Sequence, residues 1–203
     1  MPKETFLKLS EEKKQKVLNA AKREFARVPI EQVSIKNIVE DAEIARGSFY
    51  QYFESKEDLL AYILKENADE IDTKIKNKIY ETKGNIFDAY IELYDLMVKK
   101  FVENTEQEFF KQIFINLRLS DESLFTLIKS VKPQNIIKYF EMFDKTSLKI
   151  KEKNDFILIC DMLNVITRRA IVKNFKGNSQ EECRQNFLKQ IDYLKYGIIK
   201  KEE

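Results

Sequence analysis

The chain has 203 residues, 43% hydrophobic and 34% charged, with 4 Gly, 3 Pro and no His. That apolar fraction suffices for a core and excludes wholesale disorder, while so few turn formers favour long helices over a sheet-rich fold. The formal net charge is +2, and residues 1–60 balance 11 basic against 11 acidic side chains, so any nucleic-acid argument must rest on where particular cations sit.

The composition is poor for catalysis. Without His there is no His-assisted Ser or Cys nucleophile and no His-containing zinc site. Cys160 and Cys183 are the only cysteines; they are neither a disulfide framework nor a metal-ligand spacing, and they suit a reduced cytosolic setting. Gly47, Gly84, Gly177 and Gly197 are isolated, so no phosphate-cradling loop is present. The many carboxylates read as solvated helix faces. No signal peptide is visible in residues 1–10, and no apolar stretch is long enough to span a membrane. The expectation is a cytoplasmic protein without cofactor, metal or enzymatic activity.

Along the chain, Ser10 caps a first helix over 11–26, with Val17, Leu18, Ala21 and Phe25 on one face, and Pro29 stops it. Ser34 caps a short second helix carrying Ile35, Ile38, Val39 and Ala42 at i, i+3, i+4, i+7 spacing. After a break at Glu43 and Ile44, a third short helix spans about 45–52, with Phe49 and Phe53 turned inward. Ser55-Lys56-Glu57-Asp58 is a capping-box pattern opening a long helix to about residue 80. Leu60, Ile63, Leu64, Ile71 and Ile75 form its apolar stripe. Two helices of seven or eight residues are unstable alone. Packed on the first helix they make a helix-turn-helix unit.

Gly84-Asn85 marks the next boundary, before a helix striped by Ile86, Tyr90, Leu93, Tyr94, Met97 and Phe101. Thr105 and Glu108 box a helix to about residue 119. Ser120 caps another, interrupted at Pro133 and continuing with Ile136, Ile137, Phe140 and Phe143. Asn154 is the expected cap of a helix over 155–173 that is apolar nearly all round. Such a helix is buried on more than one side. Ser179 and Glu182 box the last helix, where Phe187, Ile191, Leu194 and Ile198 form a packing seam. The expectation is an all-α chain of about nine helices. Residues 1–55 form the helix-turn-helix domain and 56–203 a regulatory and dimerisation domain, joined directly by the long fourth helix. The dimer interface is expected at Ile157, Ile171, Phe187, Ile191, Leu194 and Ile198.

The tract from Val33 to Leu60, VSIKNIVEDAEIARGSFYQYFESKEDLL, resembles the signature of the TetR family of transcriptional regulators. Its telling parts are Ser34, the run Ile44 to Phe53 across the third helix, and Ser55 to Leu60 opening the fourth. Beyond Leu64 the resemblance is architectural. Two positions depart from the family pattern: Glu43 stands where Gly is usual in the turn, and Val28-Pro29-Ile30 follows the first helix where Gly is usual.

The resemblance implies a homodimeric regulator, a repressor released from a palindromic operator by a small molecule. Ser34 and Lys36 would meet the DNA backbone, and Arg46 would enter the major groove, where a guanidinium pairs with a guanine edge. Gly47 would let the helix backbone approach the bases. Ser48, Tyr50 and Tyr52 would bond phosphates, Gln51 would read a base, and Lys56 would add charge at a helix N-terminus. The plainer readings are core tyrosines and solvated cations; the case comes from all of them sharing one exposed face.

For a lipophilic effector, the resemblance suggests a pocket lined by Tyr90, Tyr94, Phe101, Phe110, Phe114, Phe125 and Phe140. A plain aromatic core is the competing reading. Asp161, Asn164 and Arg168 are either the polar handle of that pocket or polar groups at the dimer interface. The alternative function is a helical ligand-binding or protein-interaction module with degenerate DNA binding, to which Glu43 is the one pointer.

Overall fold

The structure, a computed structural model, describes residues 2–103, 106–116, 139–146, 148–150 and 152–197. Among the described residues there are nine α-helices and no strand. The chain divides into two compact units: Met1–Glu70 with Thr105–Lys132, and Ile71–Asn104 with Pro133–Glu203. The expected helix starting at Ser120 and the break at Pro133 lie outside the described residues.

The first unit holds α1 (Glu4–Leu7), α2 (Glu11–Arg27), α3 (Ile35–Asp41), α4 (Arg46–Tyr52), the first part of α5 (Lys56–Glu81), and α7 (Gln107–Asn116). Its caps follow from the serines. Ser10 Oγ accepts from the Lys13 amide, Ser34 Oγ from Asn37 and Ser55 Oγ from Asp58. Each serine thereby satisfies one of the unpaired amides of a helix start. The Asp58 carboxylate accepts from the Glu54 amide at 3.3 Å, one residue further back than a capping box requires. The α2 stripe of Val17, Leu18, Ala21 and Phe25 is buried, together with Ile38, Val39, Phe49 and Phe53 from the short helices.

Two features of this unit go beyond the sequence reading. A four-residue helix, α1, precedes the expected first helix, and its Phe6 is fully buried. Helix α7 belongs to this unit: Phe109 meets Phe25 edge-on with centroids 6.3 Å apart, and Lys22 pairs with Glu106 at 2.7 Å. The sequence boundary after residue 55 thus falls inside the first unit.

Glu43 adopts φ +56°, left-handed backbone at the position where Gly is usual. Its carboxylate, exposed, pairs with Lys16 at 2.9 Å. A left-handed non-Gly residue costs about 1–2 kcal/mol, and an exposed pair returns about 0–1 kcal/mol. Glu43→Gly is therefore expected to stabilise the chain by about 0.5–1 kcal/mol, read as a higher urea midpoint with an unchanged slope. A lower midpoint would mean that the turn is relaxed with Glu in place.

The second unit is built on α6 (Ile86–Phe101), α8 (Lys153–Phe175) and α9 (Gln180–Tyr196), with the second part of α5. Asn85 caps α6 by accepting from the Phe87 and Asp88 amides. The start of α8 differs from the expectation. The helix begins one turn's half earlier, at Lys153, and its cap position is Glu152, whose amide donates to the Asp155 carboxylate at 3.2 Å. Asp155 thus serves from inside the helix, and Asn154 is its second residue. One face of α8, Phe156, Cys160, Leu163, Thr167, Ile171 and Asn174, is buried. Against it stand Tyr90 and Tyr94 of α6 and Phe187 of α9, whose ring stacks on Tyr94 with centroids 4.5 Å apart.

Candidate nucleic-acid interface

Helix α4 is two-faced because its seven residues place Phe49, and Phe53 just after it, one turn apart. Both are fully buried. That fixes the opposite side of the helix, with Arg46, Gly47, Tyr50 and Gln51, in solvent. Nothing lies within 4 Å of the place where a Gly47 Cβ would stand, so the helix presents open backbone there. Ser48 and Tyr52 are half-buried at the edge of that face. With Leu9, Lys13, Lys16, Val17 and residues 42–45 they line a depression of about 320 Å³. Lys13 and Lys16 are cations beside the turn that the sequence reading did not single out. Their helix was read for its apolar stripe alone.

Ser34 is half-buried, and its hydroxyl is engaged as the α3 cap. Lys36 is exposed on the same helix, 3.7 Å from Glu40. Lys56 is tied down: its Nζ donates to the carbonyls of Glu31 at 2.8 Å and Val33 at 3.1 Å. An ammonium carries three donors, so these two bonds leave one for an anion.

A residue the sequence reading missed organises this region. Glu24, only 6% exposed on α2, accepts from Arg27 Nε and Nη2 at 2.8 Å each, from the Ser34 amide at 3.0 Å and from Asn37 Nδ2 at 3.1 Å. It clamps the start of α3 to α2. The Arg27 hydrogen bonds, helped by Ser34 and Asn37, hold its carboxyl below the ordinary 4.5 against the opposing effect of burial. With a depressed folded-state value, its stabilisation is complete above the ordinary carboxylate range and is lost as pH falls through the lower value. Replacing one oxygen by an amide turns a donor toward the arginine. Glu24→Gln is therefore expected to cost about 1–3 kcal/mol at neutral pH and to flatten the acid limb of the stability curve. Equal stabilities at pH 7 would show that the clamp carries no net energy. Only an apolar face marks α2 in sequence, so this buried acid on its edge gave no signal.

In the second unit the sequence candidates separate into core and surface. Tyr90, Tyr94 and Phe101 are buried and Phe140 is half-buried. Phe110, also buried, belongs to the first unit. The Phe114 side chain and Phe125 lie outside the described residues. Tyr90 donates to Asn164 Oδ1 at 2.9 Å, and burial raises its hydroxyl well above the ordinary range, so it stays protonated. Asp161 and Arg168 are exposed. A pocket of about 260 Å³ in this unit is lined by Tyr94, Asp95, Val98, Lys99, Glu103, Gln180, Glu181 and Arg184. It is a charged pocket, and Tyr94 is the one sequence candidate among its lining residues. Arg184 and Asp95 form a two-bonded pair there at 2.8 Å. Burial pushes the Cys160 thiol up to about 12, so it is no nucleophile at neutral pH. Among the described residues no acidic or sulfur cluster is arranged to hold a metal, and no helix is long and apolar enough to cross a membrane.

The expected interface residues also divide. Ile171, Phe187 and Ile191 are at most 2% exposed within a single chain, with their faces of α8 and α9 turned into the chain's own core. Ile157 is half-buried, Leu194 is exposed, and Ile198 lies outside the described residues. The exposed apolar stripe is instead Leu158, Met162 and Val165 of α8, with Tyr193 and Leu194 on α9. Asp161 and Arg168 flank the α8 stripe.

A short helix held across a tight turn with an open polar and cationic face is the helix-turn-helix class of DNA-binding domain. The comparisons agree. The family model for bacterial regulatory proteins of the tetR family matches residues 17–63, and the Tetracyclin repressor-like C-terminal domain matches residues 85–198. The chain belongs to the TetR family, a family of helix-turn-helix transcriptional regulators. The HTH-type transcriptional regulator YuxN of Bacillus subtilis is 26% identical over 160 residues, 78% of this chain. The match spans 47% of that relative, about half its length. Among solved structures, a TetR-family transcriptional regulator from Syntrophomonas wolfei has a TM-score of 0.73 at 22% identity, covering 93% of this chain and 97% of its own. The fatty acid degradation regulator FadR of Bacillus halodurans has a TM-score of 0.69 at 17% identity, covering 96% and 100%. FadR of Bacillus subtilis, solved with stearoyl-CoA, has 0.66 at 18%, covering 91% and 99%.

Proposed function

We propose that this protein is a homodimeric transcriptional repressor that binds a palindromic operator through the major groove. The observation that carries this reading is the open face of α4, with Arg46, Gly47, Tyr50 and Gln51 in solvent opposite the buried Phe49. In this reading Arg46 pairs with a base edge and Gln51 reads a neighbour. Ser34, Lys36, Ser48, Tyr50, Tyr52 and Lys56 hold the phosphates. Two-fold symmetry sets two such helices roughly 34–36 Å apart, in successive major grooves.

The test is Arg46→Ala, measured on a duplex from the protein's own promoter and on random-sequence DNA. The promoter affinity should fall by about 1–3 kcal/mol, the worth of a bidentate base contact. Random-sequence affinity, which rests on phosphate neutralisation, should change much less. Equal losses would move Arg46 to the backbone. No binding by the wild type would favour the alternative, a helical binding module with degenerate DNA recognition, to which Glu43 points.

The second part of the reading is release by an apolar small molecule held in the second unit. Its support is the aromatic density around Tyr90, Tyr94 and Phe140, with polar groups such as Asn164 among them. Ligand binding regulates only if it favours one arrangement of the DNA-reading heads, and a coupling of about 1–3 kcal/mol changes operator affinity some 5–150-fold. Stearoyl-CoA and lauroyl-CoA, present in two regulators of like fold, are practical probes. A probe that binds should raise the melting temperature and release promoter DNA. A lipophilic panel doing neither would leave a filled aromatic core.

A further inference from the structure

We propose that the N-terminal turn, Lys3 to Phe6, is a positioning clamp on the last turn of the recognition helix, needed for reading operator sequence and not for general DNA affinity. The inference rests on the DNA-binding reading of α4.

The last carbonyls of any helix lack intrahelical partners, and α4, at seven residues, is too short to hold its own end in order. Here those carbonyls are met from far away in sequence. The Lys3 amide donates to the Tyr52 carbonyl at 2.8 Å. Lys3 Nζ donates to the Tyr50 carbonyl at 2.9 Å, and the Thr5 hydroxyl donates to the Gln51 carbonyl. Three consecutive acceptors thus receive donors from a stretch of three residues. Phe6 anchors that stretch. Fully buried, its ring lies 4.7 Å from Phe53, 5.5 Å from Tyr62 and 5.8 Å from Tyr52. The residues whose carbonyls are held, Tyr50, Gln51 and Tyr52, are those whose side chains are candidate DNA contacts.

The division between specific and general binding follows from what each demands. Attraction to phosphates tolerates a mobile helix end, because it depends on charge. Base reading requires side chains held to within a fraction of an ångström by their supporting contacts. The clamp bonds are solvent-exposed, so their loss should open the end of α4 locally without unfolding the unit.

The test uses the full chain with Lys3→Pro and Thr5→Val together. Lys3 has φ −77°, which proline adopts without strain while removing both the amide and the ammonium donor. Without DNA, hydrogen exchange at the α4 amides should accelerate about fivefold or more, the factor matching one hydrogen bond's net contribution, while α3 stays unchanged. On the protein's own promoter duplex, affinity should fall by at least the same factor, with random-sequence affinity within about twofold. Thr5→Ser, which keeps the hydroxyl, should behave as wild type. Unchanged exchange in α4, or equal losses on both DNAs, would overturn the clamp; equal losses with a shallower salt dependence would make Lys3 a phosphate contact instead. A wild type that does not distinguish the two DNAs would fail the DNA-binding reading, while the exchange measurement, made without DNA, still decides whether the clamp orders the helix end.

Discussion

Val165→Glu should turn the protein into a monomer and lower its operator affinity by at least about two orders of magnitude, the usual gain from linking two binding modules. Val165 is 66% exposed, and Leu158 and Met162 lie two turns and one turn away on the same face of α8 at 54% and 47%. An exposed apolar stripe of this kind marks an interaction site. A two-fold axis through it pairs the patch with itself, and the two chains would pack α8 and α9 as a four-helix bundle. A buried, unpaired carboxylate at its centre is strongly unfavourable.

Because Val165 faces solvent in the single chain, the variant should keep its helical content. Ile191→Glu, at a position 2% exposed, should unfold the second unit instead. Light scattering, circular dichroism and promoter binding on the two variants separate these outcomes. A dimeric Val165→Glu protein, or a wild type that is monomeric at micromolar concentration, would remove this face from the interface.

Gly84→Ala should destabilise the second unit by about 2–5 kcal/mol, the sum of a left-handed penalty and overpacking. Gly84 has φ +77° and follows Lys83 at +51°, so two left-handed residues end α5. A Cβ there would stand 2.5 Å from the Met142 carbonyl oxygen and 2.7 Å from the Asp144 nitrogen. Both are backbone atoms and cannot swing away, and Asp144 N–H donates to the Gly84 carbonyl at 2.9 Å. The melting temperature should fall by roughly 5–15 °C for a chain of this size. Gly177→Ala is the control. That residue has φ +80° and no neighbour within 4 Å of an added Cβ, so it reports the backbone penalty alone, about 1–2 kcal/mol. Equal losses at the two positions would mean that the 140–144 segment yields to the added methyl.

Much of the helix-turn-helix was legible in sequence because its signals are local. Ser10, Ser34, Ser55 and Ser179 cap the helices expected of them, since a cap is a bond over three residues. Glu43 was marked as left-handed by its place in the motif, and its φ is +56°. The open face of α4 followed from the spacing of Phe49 and Phe53. The start of α8, expected at a cap on Asn154, lies two residues earlier at Glu152, where the Asp155 carboxylate holds the Glu152 amide.

What the sequence determined by itself was the helical class, the order of the described α-helices from α2 onward and the open face of α4, all set by periodicity and capping within a few residues. What only the tertiary structure decided depended on pairs far apart in the chain. Phe6 and Lys3 hold the end of α4 across more than 45 residues. Glu24 reaches Ser34 and Asn37 on another helix, and Phe109 brings α7 to Phe25 in the first unit. The α8 helix shows the reason most plainly. It is apolar nearly all round, so periodicity does not say which stripe packs inside the chain and which stays open. Placing Tyr90 and Phe187 against Phe156, Cys160, Leu163 and Ile171 settled that, and left Leu158, Met162 and Val165 on the surface.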